Sequence, residues 1–327
     1  MSATSTARMR NPSAREVVVT GIGLMLPGVA TYGDLLGPLP GEGRIDPATG
    51  LSGREMRHKD RASRLALRAA ESALHDAGLT DAHATFTGVV DSTAVVVSTN
   101  LGNVDSVCEA TDTIAREGVR GLSPLGLPQT SSNVIAGWVA IRYGLRGPNL
   151  TVCNGVTSGL DALAWARNLI VAGRAEAAVV VGVEPANDVT AKLLGCEQSI
   201  EAAVAIVLEP ADAVASRHAR PRATIAGYAR ARDLAAALTS TGVTEEKPFG
   251  LWLVDEAGAG AGAGAVPLLA ATRRIDLEAQ LGPLSGALGV LQCAAAAAHL
   301  ESGPTGNVLA TAGGPRHDAA AALLLTL

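Results

Sequence analysis

Residues 146–174 read RGPNLTVCNGVTSGLDALAWARNLIVAGR, and they constrain the fold more than any other stretch. Gly147 and Pro148 make a turn, and Leu150, Thr151 and Val152 follow as a short apolar strand. Cys153, Asn154 and Gly155 lead into a tight corner, from Val156 to Gly159. A helix over 160–172 comes next, apolar nearly all round, and Gly173 closes it as a left-handed cap. A helix without a polar face is buried among other elements. A strand that turns sharply into such a helix lifts one side chain towards the helix N-terminus. Amide groups and partial positive charge there favour a nucleophile's anion. The side chain at that corner is Val156, which has no chemistry to offer.

The rest of the chain alternates strand and helix signals. Val17, Val18, Val19 and Thr20 form a buried strand ending at Gly21-Ile22-Gly23. Residues 94–98, 178–182, 202–209 and 251–254 are further apolar runs, of the kind found in sheets covered on both faces. Helical spacing predicts helices over 61–77, 103–116, 134–143 and 286–300, and residues 319–327 read as a last strand. The segment 183–201 reads as a linker. This alternation predicts an α/β fold with parallel sheets.

The corner segment resembles the nucleophile elbow of the β-ketoacyl synthases, the condensing enzymes of fatty-acid and polyketide synthesis. Their motif reads roughly GPxxTVxxACSSGLxA. Gly147, Pro148, Thr151, Val152, Ser158, Gly159, Leu160 and Ala162 match it. VVVTGIG at 17–23 is similar to the family's opening strand. The resemblance implies a thiolase-like fold: two similar βαβ halves in a layered α-β-α-β-α sandwich. It divides the chain into a tail over 1–15, an N-terminal half over 16–215 and a shortened C-terminal half over 216–327.

The same resemblance implies that the chemistry is gone. Val156 falls where the family carries its reactive Cys. The first catalytic His lies in an HGTGT loop, and Ala257 takes its place. The second lies in KSxxGHxxGAxG. There Gly282, Gly286, Ala287 and Gly289 keep the frame, Pro283 replaces the His and Glu278 the Lys. A thiolate and two proton donors are what a condensing reaction needs, so the expectation is no catalytic residue and no enzyme activity.

The expected role is that of a chain-length factor, the silent subunit that pairs with an active ketosynthase in type II polyketide synthesis. Such subunits often keep Gln at the corner, and Val156 departs from that. The resemblance also implies a tunnel at the subunit interface, with Val107, Ala110, Thr111 and Ile114 along one helix. Gln129, Asn133, Leu150, Val152 and Cys153 lie nearby as further tunnel or interface candidates. The partners are then an active ketosynthase and, indirectly, an acyl carrier protein. Two rivals are an acyltransferase using Cys153 and a stand-alone acyl-chain binding protein. Ser158 sits in GVTSG, not the GxSxG of hydrolases, and reads as a capping residue.

Composition narrows the partners further. A net charge of −5 argues against nucleic acid and anionic membranes, and 2% aromatics leave no stacking platform. No run reaches the ~18 apolar residues of a membrane span. The four cysteines lack metal-ligand spacing and read as small buried hydrophobes of a cytoplasmic protein, and the six histidines read as mostly exposed. No cofactor or metal is expected.

Overall fold

The computed structural model describes residues 15–39, 45, 56–197, 200–243, 248–256, 269, 272–303 and 306–327. Its strands are β1 (Val17–Met25), β2 (Thr93–Ser98), β3 (Asn149–Val152), β4 (Ala177–Glu184), β5 (Ala202–Pro210), β6 (Ala223–Ala231), β7 (Phe249–Leu253), β8 (Arg274–Ile275), β9 (Asn307–Gly313) and β10 (Ala320–Thr326). They form one hydrogen-bonded ladder in the order β3-β2-β4-β5-β1-β6-β10-β9-β7-β8. The order on one side of the β1–β6 junction is repeated on the other. The ladder is continuous because Val18 and Val19 pair with Thr224 and Ala223.

The pairing is mixed rather than parallel throughout. β2 runs parallel to β3 and β4, and β7 to β8 and β9. β5 runs antiparallel to both β4 and β1. Among the described residues between β4 and β5 there is one short helix, α5 (Asp188–Leu194), where a linker was expected. It is capped by Asn187 and packs beside α2 (Val104–Glu117). No long crossover helix therefore covers the sheet at that point, as a parallel connection requires.

Strand periodicity sorts the core into layers. Ala94, Val96, Ala178, Val180, Val204, Ile206 and Leu208 face a central cluster. Their neighbours Val95, Val97, Val179, Val181, Ala205 and Val207 face the opposite way, onto α1 (Arg61–Asp76) and α3 (Val134–Tyr143). The central cluster holds α4 (Ser158–Val171) and α9 (Leu288–Glu301), and it also takes Leu251, Leu253, Ala310 and Leu323 from the second half. A third cluster joins Trp252, Val254 and Leu309 to α7 (Leu234–Thr241). Sandwiched on every side, α9 buries each residue from Leu288 to Leu300. That is why its sequence is mostly alanine, and why His299 is buried while the other five histidines are exposed.

Small residues set how closely these layers approach. β1 does not end at Gly21 but runs on to Met25. A Cβ on Gly21 would lie 2.2 Å from the Ala73 carbonyl, and one on Gly23 2.1 Å from that of Ala69. The glycines are there because α1 lies directly on the strand backbone. The halves are also tied by charge. Arg222 pairs with Asp76 of α1 at 2.6 Å and with Glu301 of α9 at 2.8 Å, and Tyr32 donates to Glu301.

Helix limits follow the caps. α1 starts at Asp60, whose carboxylate accepts from the Ser63 amide, and α3 stops at the left-handed Gly144. Of the tail expected at 1–15, only Arg15 is described, and its guanidinium donates to the Ile170 carbonyl. The rest lies outside the described residues. No helix among the described residues is long and apolar enough to cross a membrane.

Candidate functional site

The corner forms as its sequence demands. Gly155 takes φ +70°, a single turn spans Gly155–Thr157, and α4 begins at Ser158. Val156 stands on this turn, half-buried. One side chain absent from the sequence reading organises the corner. Asn100, just after β2, donates from Nδ2 to the Gly155 carbonyl and to Ser285 Oγ, both at 2.9 Å. Its Oδ1 accepts from the Gly155 amide at 3.1 Å and from Ser158 Oγ at 3.0 Å. Both donors and both acceptor positions of the amide are thereby used. Ser158 Oγ also accepts from the Asn154 amide at 2.5 Å. It is buried and bonded to no base among the described residues, so its place in the structure is that of a brace.

Two carboxylates, Glu184 buried and Glu278 half-buried, hold the loop that follows α8 (Leu277–Leu281). Glu278 Oε1 accepts from the amides of Leu284 and Ser285 at 2.6 and 3.2 Å. Glu184, at the end of β4, accepts from the amides of Asn100, Leu101 and Gly286 and from Thr99 Oγ1. No cation pairs with either among the described residues. Burial pushes each carboxyl up to about 7 against the pull of those amides, and Asp255 adds to the rise at Glu278. Pro283 lies half-buried in the same loop, whose Ser285 has the left-handed φ of 47°. Ala257 lies outside the described residues.

A third carboxylate sits under the elbow. Asp161, in the first turn of α4, accepts from Asn154 Nδ2 at 2.8 Å and Thr157 Oγ1 at 3.0 Å. The Tyr228 hydroxyl donates to its other oxygen, and Arg230 Nε stands 3.6 Å away. A signal for such sites existed in the sequence: an acid closing an otherwise apolar strand (Glu184), and one inside an apolar helix (Asp161).

The cysteines differ from expectation. Only Cys293 is buried; Cys196 is intermediate, and Cys108 and Cys153 are exposed, on the surface helix α2 and at the end of the edge strand β3. Partial burial of the sulfur, and then the Glu184 carboxylate, raise the Cys153 thiol. A nucleophilic thiolate needs the opposite shift.

The tunnel candidates divide. α2 buries none of its residues, so its stripe is not core. Val107 is 38% and Ile114 44% exposed, Thr111 is exposed and Ala110 partly covered. Gln129, by contrast, is buried within the chain, where Nε2 donates to the His58 carbonyl at 2.6 Å. Asn133 is exposed and accepts from Ser131 Oγ. β3 is an edge strand, with only β2 beside it among the described residues. Leu150 is half-buried against the core and Val152 is buried. No cluster of three or more His, Cys, Asp or Glu suited to a metal ion occurs among the described residues.

A profile described as "Beta-ketoacyl synthase, N-terminal domain" matches residues 29–194. The chain belongs to the β-ketoacyl synthase family. A 3-oxoacyl-[acyl-carrier-protein] synthase 2 of Vibrio harveyi is 29% identical over 200 residues, covering 54% of this chain and 47% of the relative. A granaticin polyketide putative beta-ketoacyl synthase 1 of Streptomyces violaceoruber is 30% identical over 266 residues, covering 66% and 63%. The chain spans less than half the length of the curated 3-oxoacyl synthases it matches. Among solved structures, the ishigamide ketosynthase/chain length factor superposes with a TM-score of 0.72 at 24% identity, over 95% of this chain and 99% of that one. The fold of this family member is thus the thiolase-like one.

Proposed function

We propose that this synthase-family chain is a non-catalytic, chain-length-factor-like subunit that pairs with an active ketosynthase of type II polyketide synthesis. The observation that carries the reading is the elbow: Asn100, Ser158 and Gly155 build it in full, and the side chain it presents is Val156. Glu278 and Pro283, where the family has Lys and His, support it, as does the raised Cys153 thiol. The unpaired β3 edge and the exposed apolar side of α2 suit a protein that meets a partner there. The structural likeness to a ketosynthase/chain length factor accords with this role.

The test is co-expression with an intact Cys-His-His ketosynthase and exposure to a cerulenin-type acylating probe. The partner should be labelled and this chain should not; acylation of this chain would make it an enzyme. Val156→Cys alone is expected to give no chain elongation in the purified subunit, because Ala257 and Pro283 stand at the positions of the family's two His and supply no proton donor. Measurable elongation by that variant would overturn the proposal.

Length control is expected on α2. Ala110→Phe or Thr111→Phe, in the pair, should shorten the acyl products, since each methylene excluded from a buried tunnel forfeits about 0.8 kcal/mol. Products of unchanged length from both variants, at undiminished activity, would place the tunnel elsewhere.

A further inference from the structure

We draw no further inference here: the strongest candidate, the groove of about 410 Å³ between the outer face of α1 and the loop over 80–84, mixes Arg68 and His75 with Glu71 and Asp81 in its lining and so favours no one ligand chemistry, and nothing in the structure shows what covers it.

Discussion

Gly289→Ala is expected to leave little folded protein. α4 and α9 cross in the central layer with backbone against backbone. A Cβ on Gly289 would lie 2.3 Å from the Leu160 nitrogen and 2.7 Å from the Gly159 carbonyl carbon. One on Gly159 would meet the Gly289 nitrogen at 2.6 Å. No side chain can rotate away, so the helices must part. Both are enclosed by the two halves of the sheet, which would have to move with them. Overpacking in a core costs typically 1–3 kcal/mol, and a clash between two backbones belongs at or above the top of that range. Gly137→Ala is the matched control. It lies inside α3 with open space where its Cβ would go, and replacing a helical Gly by Ala should add up to about 1 kcal/mol. Denaturant midpoints should move in opposite directions. Equal midpoints for the two variants would mean that the crossing is looser than described.

Stability should also fall as pH rises through neutrality. Glu184 and Glu278 have folded values near 7, above the ordinary carboxyl range. Their neutral forms are the ones the fold accommodates. The stability this contributes is complete below the unfolded value, near pH 4 to 5, and is lost as pH rises through about 7. For Glu184, which is 4% exposed, the change is on the order of 3 kcal/mol between pH 5 and 8. Glu278 keeps part of its surface in water and contributes the smaller share. Unfolding midpoints across that range should therefore decline, and Glu184→Gln, which cannot ionise, should remove the larger part of the slope. A flat profile in the native chain would show that water reaches both carboxylates. The loop from Gly282 to Gly286 should open more readily at high pH, because opening it lets water reach the ionised carboxylates, whose desolvation outweighs the hydrogen bonds from its amides. Hydrogen exchange at Leu284 and Gly286 would register that.

Much of the fold was legible because its signals are local. The run 134–143 closed by Gly144 is the observed α3, and the corner at 153–159 is the observed elbow. Apolar runs became strands wherever both faces are covered. β9 was missed although Asn307–Gly313 is such a run, lying in the ladder where β4 lies in the other half. β1 was cut short because glycine in a strand was read as punctuation, when here it admits α1.

The sequence by itself determined the alternation of strands and helices, the sharp corner with Val156 on it, and the absence of a nucleophile there. Those follow from backbone preferences and side-chain identity within a few residues. Only the tertiary structure decided that Asn100 braces the corner across 55 residues, that Glu184 is buried and Glu278 half-buried with no cation beside either among the described residues, that Cys153 is exposed, and that Gly159 meets Gly289. Burial, pairing and close approach depend on which distant segment arrives at a residue, and the sheet order that brings them together is a property of the whole chain.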